Sequence, residues 1–285
     1  MQFNTPIIFF IYKRPNTTQL VFNKIREIKP TILYIFADGA KDKSEVTLVN
    51  QSREIIKQID WDCELHINFS KKNLGCSDRI VSGLNIAFKR VETAIILEDD
   101  CLPDLSFFYY CEELLHYYTN NEEIMHISGF NILGEVKINE SYFFSKYTLP
   151  PWGWATWKRA WELQNNNFDT WQQIKTWAYK NISQENFTDW TDLFEGARTL
   201  RKTWDVSWNV DLWKNNALGI IPKKNLIQNI GFGDDATFTK NDSTKVAANK
   251  AIEMNFPLNH PKTKKCDFDT LIEKEIIEAV RINRN

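Results

Sequence analysis

Ala94-Ile95-Ile96-Leu97-Glu98-Asp99-Asp100-Cys101-Leu102-Pro103 is a short apolar run that ends in three consecutive carboxylates. A run of that length, closed by a turn signal, reads as a buried strand. The acids fall at its carboxyl end, where open α/β sheets bind their ligands. Adjacent anions repel one another, so the pattern calls for a cation beside them. The alternative is a solvated acidic turn, or a helix start that favours negative charge.

Toward the amino terminus the chain alternates strand and helix signals. Pro6 to Tyr12 is an apolar, β-branched and aromatic run. Arg14-Pro15-Asn16 then suits a helix start, and Leu20, Val21, Ile25 and Ile28 fall on one helical face. Ile32 to Ala37 is a second strand, ending at Asp38-Gly39. A polar helix through Ile55, Ile56 and Ile59 follows, then the alternation Cys63, Leu65, Ile67, Phe69 of a half-buried strand. A helix from about Ser77 to Arg90 leads back to the acidic run. This order predicts an α/β fold with a mostly parallel, doubly wound sheet. Arg14, Asp38 and the Glu98 to Asp100 triplet then meet at one edge of it. Neither GxxxxGK[ST] nor GxGxxG occurs, so no P-loop or dinucleotide fingerprint is present.

On the other side of the triplet, Pro103 and Asp104 open a helix rich in Phe107, Phe108, Tyr109, Leu114 and Leu115, and Ile124 to Ile127 reads as a strand. From Gly129 the alternation fades. Of the 11 Trp in 285 residues, only Trp61 precedes residue 150, so the two halves are expected to do different jobs. The division read from this is 1–128 for nucleotide binding, 129–250 as an aromatic-rich acceptor and catalytic half, and 251–285 as an extension. That extension carries a closing helix from Cys266, with Thr270 and Glu273 as a capping box and Leu271, Ile272, Ile276, Ile277 and Val280 as its apolar face. Lys262, Lys264 and Lys265 form a small basic cluster before it. It is read as solvated surface, with contact to anionic lipid or a diphosphate acceptor as the lesser reading.

Three constellations carry chemistry in the second half. Pro150-Pro151-Trp152-Gly153-Trp154 joins stiff backbone to indole faces that suit sugar rings. Most of these Trp are expected in the core, with Trp152 the exception. Trp204-Asp205-Val206-Ser207-Trp208 sets a carboxylate between large aromatics, where desolvation would raise its pKa and fit it as a general base. An N-cap role for Asp205 is equally compatible. Asn229 to Thr237 holds Gly231, Gly233, Asp234 and Asp235, read as a loop that closes over a substrate, with a second metal site or a plain turn as alternatives.

A net charge of −2 gives no global field for nucleic acid. The five scattered cysteines fit a reducing compartment. Ile7 to Ile11 is too short to cross a bilayer, and Met1 to Pro6 lacks a basic leader. The expectation is a cytoplasmic protein, at most peripheral at the inner face of the membrane.

In the order of these motifs the chain resembles the GT-A glycosyltransferases, closest to the N-acetylglucosaminyltransferase I type and its bacterial relatives. The resemblance runs from about Pro6 to Thr239. Tyr12-Lys13-Arg14 and Phe36-Ala37-Asp38 match the uracil-holding positions, and Glu98-Asp99-Asp100 matches the acidic motif. Pro151 to Trp154 matches the donor-sugar wall, Trp204 to Trp208 the element with the catalytic base, and Gly231 to Thr239 the loop over the donor. Trp152 stands where the acetylglucosamine enzyme has a smaller aliphatic residue, and Phe238 where the bacterial relatives often carry a His.

The resemblance implies a UDP-sugar donor and a glycan or lipid-linked saccharide acceptor. It assigns the nucleotide to Arg14, Asp38 and Asp99, the transferred sugar to Glu98, Trp152 and Trp204, and Mn²⁺ or Mg²⁺ to Asp100. Asp205 would be the base of an inverting transfer. Two other classes stay open. A sugar-nucleotide nucleotidyltransferase also uses an α/β sheet with acids, but usually needs a glycine-rich basic loop that residues 1–30 lack. A non-catalytic carbohydrate-binding protein would explain the Trp cluster but not the triplet.

Overall fold

In the computed structural model the described residues are 2–165, 175–176, 178–180, 182, 184–200, 204–232 and 249–282. The first half runs β1 (Ile7–Ile11), α1 (Pro15–Ile28), β2 (Ile32–Ala37), α2 (Val46–Glu54), β3 (Glu64–Phe69), α3 (Cys76–Ala87) and β4 (Thr93–Glu98). Then come β5 (Cys101–Pro103), α4 (Ser106–Tyr117), β6 (Ile124–Ser128), β7 (Tyr142–Ser145), β8 (Trp154–Trp157) and α5 (Lys158–Trp161). The chain continues through α6 (Phe187–Leu200), α7 (Asp205–Lys214), β9 (Leu218–Pro222), β10 (Ile227–Asn229) and α8 (Asp269–Ile282).

Eight of these strands form one sheet in the order β3-β2-β1-β4-β8-β6-β9-β7. The four strands from β3 to β4 are mutually parallel, and antiparallel β8 joins them to β6. The expected mixed α/β sheet of mostly parallel strands is therefore present. Because strand side chains alternate between faces, the sheet feeds two apolar layers. Ile7, Phe9, Leu33, Ile35, Ile95 and Leu97 pack with α1 and α4 on one face. Ile8, Phe10, Tyr34, Phe36 and Ile96 pack with α3 on the other. All eleven are nearly or fully buried, and each such side chain contributes about 1.5–3 kcal/mol.

Several elements differ from the sequence expectation. The polar helix ends at Glu54, and Ile55 to Gln58 tighten into a 3₁₀ turn. On β3, Leu65 and Ile67 stay 37% and 50% exposed, because β3 is the sheet's edge and is only partly covered. The capping box does not form as read. Glu273 is buried and accepts the Trp190 indole N–H at 2.9 Å, tying α8 to α6. Asp269 instead anchors the start of α8, accepting the Ser145 hydroxyl at 2.7 Å. Ile272, Ile276 and Ile277 are buried as expected, whereas Leu271 faces outward at 53% exposure. Among the described residues no helix is long and apolar enough to cross a membrane.

The tryptophans divide much as their setting suggested. Trp154, Trp161, Trp204 and Trp208 form one stacked cluster, with Trp154–Trp204 ring centres 5.1 Å apart. Trp152 remains partly exposed. One turn beyond Trp208 on α7, Asp211 is buried, and its Oδ2 accepts the Asn165 N–H at 2.9 Å. Burial pushes its carboxyl from 3.8 up to about 7, against the pull of Asn165 and Lys214.

The folded protein therefore keeps a proton that the unfolded chain loses between pH 3.8 and about 7. Stability from this group is complete below that window and is lost as pH rises through it. Asp211→Asn should become the more stable form as pH rises to neutrality, by on the order of 1–3 kcal/mol. Thermal unfolding across that window checks this; a gap that does not change with pH contradicts it.

Candidate active site

Parallel pairing of β1 with β2 and β4 brings three loops to one edge of the sheet. Tyr12 to Arg14 follow β1, Asp38 follows β2, and Asp99 and Asp100 follow β4. Asp99 is 6% exposed and accepts the Tyr12 backbone N–H at 2.8 Å. Arg14 ion-pairs with the Asp100 Oδ2 and lies 3.8 Å from the Asp99 Oδ1. The cation that three adjacent acids call for is thus supplied from the neighbouring strand. Burial, with the charge of Asp100, pushes Asp99 up to about 7, while Arg14 and the Tyr12 N–H oppose this. Burial also holds Glu98 well above the usual carboxylate range, with Asp100, Asp99 and Asp205 adding to the effect.

Asp38 has a different setting from its neighbours. Its Oδ1 accepts the N–H groups of Gly39 at 2.8 Å and Leu74 at 2.9 Å, and its Oδ2 accepts that of Gly75 at 2.9 Å. The carboxylate is spent on backbone. It folds the 70–75 loop against the sheet edge, so any part it plays in nucleotide binding passes through that loop. Gly75 adopts φ +81°, a left-handed conformation that favours glycine, and α3 starts at the next residue.

A second link comes from far along the chain. β10 pairs antiparallel with β5, which follows the triplet directly. The Ile230 N–H donates to the Asp100 carbonyl at 2.8 Å. A Cβ at Gly231 would sit 2.7 Å from the Cβ of Asp100, so only glycine lets this backbone lie against the acid. Gly231 of the proposed loop is thereby joined to the triplet; Gly233, Asp234, Asp235 and Phe238 lie outside the described residues.

The aromatic half lines the same region. Trp152 is edge-on to Phe130 at 4.7 Å and to Phe232 at 5.9 Å, next to Gly231. Trp204, expected against the transferred sugar, is instead 3% exposed and stacked on Trp154 in the apolar layer that α3 covers, a core position rather than a wall beside Trp152. Asp205 is the first residue of α7, and its Oδ1 accepts the Val206 N–H at 2.9 Å. Its charge reaches both Glu98 and Cys76, which brings the element read as carrying a base close to the triplet.

Cys76, Asn73 and Glu45 belong to this edge and escaped the sequence reading. Burial pushes the Cys76 thiol up, and the charges of Glu98 and Asp205 push it further. Asn73 donates to the Tyr12 hydroxyl at 3.0 Å and to the Gly39 carbonyl at 2.8 Å. Glu45 accepts from the Tyr12 hydroxyl and, at 2.6 Å, from Lys13. Asn73-Leu74-Gly75 carries a turn signal that could have been weighed; Glu45 carries none.

Among the described residues no group of three His, Cys, Asp or Glu side chains is arranged to hold a metal ion. Asp100 offers carboxylate oxygens, the hard donors that Mg²⁺ and Mn²⁺ accept. The donor set therefore fits a cation held by one or two carboxylates and completed by phosphate and water, not a closed all-protein cage.

No protein-family model matches the chain, and no curated protein matches it. Among solved structures it is similar to a UDP-glucose pyrophosphorylase complexed with UDP-glucose, at 9% identity and TM-score 0.43, over 80% of this chain and 93% of that one. It is similar to residues 1–349 of TarS from S. aureus at 10% identity and TM-score 0.43, over 79% and 59% of the two chains. A cytidylyltransferase from Leptospira borgpetersenii gives 8% identity and TM-score 0.38, over 63% and 72%.

Asp38→Ala leaves three backbone N–H groups without their acceptor. It should cost about 2–5 kcal/mol of stability. Chemical denaturation checks this; an unchanged midpoint would show that the carboxylate does not hold the loop.

Proposed function

We propose that this chain is a metal-dependent glycosyltransferase that moves a sugar from a nucleoside-diphosphate donor, UDP-linked, to a hydroxyl of a glycan or lipid-linked saccharide, with inversion. The observation that carries the reading is the meeting, at the carboxyl edge of a parallel sheet, of Arg14, Asp99 and Asp100 with the Gly231 backbone. Such an edge offers an anion-binding guanidinium and hard-oxygen ligands within one site. The motif order of the resemblance supports the same assignment.

In this reading Arg14 and Asp99 face the nucleotide, and Asp100 holds Mn²⁺ or Mg²⁺. When bound, that ion offsets charge on the departing diphosphate. Glu98 and Trp152 face the transferred sugar. Asp205 takes the proton of the acceptor hydroxyl as its oxygen attacks the anomeric carbon. The bond from that carbon to the diphosphate oxygen breaks, and the nucleoside diphosphate leaves on the opposite face. The geometry is that of the base half of an inverting glycosidase with an alcohol in place of water. We place the reaction in the cytoplasm, with at most peripheral contact to the membrane.

Asp205→Asn should keep UDP binding and lose sugar transfer by about 10²–10⁴-fold. Near-normal turnover would remove Asp205 from the role of base. Asp100→Ala should abolish the Mn²⁺-dependent part of UDP binding in calorimetry, and unchanged binding would remove Asp100 from the metal.

A further inference from the structure

The ion pair between Arg14 and Asp100 has a consequence for how ligands enter this edge. Both side chains are only 17% exposed, and the guanidinium Nη1 is seated on the Asp100 Oδ2. The other carboxylate oxygen, Oδ1, faces the Cys101 thiol at 3.5 Å. The Gly231 backbone lies against the same Oδ2, too close for any Cβ. A divalent cation needs a ligand oxygen at about 2.1 Å. A guanidinium seated on Oδ2 opposes a second cation there by charge repulsion, so Arg14 and a divalent cation compete for that oxygen.

Arg14 has little freedom except in its side chain. Its carbonyl accepts the Thr18 N–H at 2.9 Å and the Thr18 hydroxyl at 2.7 Å, in the first turn of α1. Pro15 fixes the following φ. Tyr12, two residues before, is bonded through its N–H to Asp99. The guanidinium can therefore leave Asp100 only by rotating about its own stem. A diphosphate at the same edge offers the planar guanidinium a bidentate anion partner.

We propose that Arg14 is an internal competitor of the divalent cation for Asp100, and that a diphosphate, by drawing Arg14 to itself, releases Asp100 to the cation. This rests on the nucleotide-sugar reading above. It makes Arg14 a positioning residue that couples two ligands. By linkage, diphosphate and cation then tighten each other by the same factor. The protein by itself takes up the cation weakly, and the guanidinium passes from carboxylate to phosphate as both ligands arrive.

The test is Mn²⁺ binding to the full chain, read from the free-ion EPR signal, with and without UDP. The native protein should bind Mn²⁺ weakly alone and at least about tenfold more tightly with UDP. Arg14→Gln should bind Mn²⁺ alone about tenfold more tightly than the native protein, with a smaller effect of UDP. Arg14→Met, which keeps the apolar stem, gives a second neutral variant should the first fail to fold. Lys13→Gln is the electrostatic control. It removes one positive charge from the same edge but leaves the Asp100 pair intact, since Lys13 is held by Glu45. If it tightens Mn²⁺ binding as much as Arg14→Gln, the effect is one of bulk charge and the proposal falls. Arg14→Gln binding Mn²⁺ no more tightly than the native protein also overturns it, while UDP-dependent uptake by the native protein leaves the nucleotide-sugar reading standing. Absence of both Mn²⁺ and UDP binding in every variant overturns both.

Discussion

The placement of two adjacent carboxylates beside one guanidinium is the constraint on which this molecule turns. Buried anions are costly in a low-dielectric setting unless they are paired. Arg14 and the Tyr12 N–H, both from the loop after the neighbouring strand, offset part of that cost for Asp99 and Asp100. This requires β1 and β4 to lie side by side and parallel, as their register provides. It also requires the chain to turn sharply after Ile11, which Pro15 and the start of α1 accomplish. The β10 segment completes the enclosure by pairing with β5 and pressing Gly231 on Asp100. Remove the ion pair and the strand order still buries its apolar faces, but the edge would hold uncompensated charge.

Much of the first half was legible because strand and helix periods there are clean. Ile32 to Ala37 matches its element residue for residue, and Ile7 to Ile11 and Thr93 to Glu98 differ from expectation only at their ends. Convergence of Arg14, Asp38 and the triplet followed from the parallel order alone. What the order could not convey is how each carboxylate is used. Asp38 and Asp100 follow equivalent strands, yet one binds backbone and the other a guanidinium. The difference lies in the 70–75 loop, whose N–H groups are invisible to periodicity. Short β5 and β10 were missed because three residues carry no period. Gly231 was read as part of a loop closing over a substrate, and its backbone lies in close approach to Asp100. In the second half, Thr270 and Glu273 matched a capping pattern, but a buried Trp190 indole claimed the Glu273 carboxylate. Local capping competes poorly with a tertiary hydrogen bond to an otherwise unpaired indole.

The chemistry separates into two halves of one edge. Arg14, Asp99 and Asp100 suit a diphosphate and its cation. Trp152 and Asp205, on elements from the aromatic half, suit a sugar and the hydroxyl that attacks it. A nucleotidyltransferase would use the first half of this arrangement but has no need of a base poised near the sugar. Which bond breaks is therefore the question that separates the two classes. In glycosyl transfer the anomeric carbon–oxygen bond is cut and the nucleoside diphosphate is released whole. In nucleotidyl transfer the phosphorus–oxygen bond between the two phosphates is cut.

Product identification with UDP-sugars, Mn²⁺ and added pyrophosphate decides this most directly, read by phosphorus NMR or ion-exchange chromatography. The account predicts accumulation of UDP, with free or transferred sugar and no dependence on pyrophosphate. Formation of UTP and sugar 1-phosphate that requires pyrophosphate would contradict it.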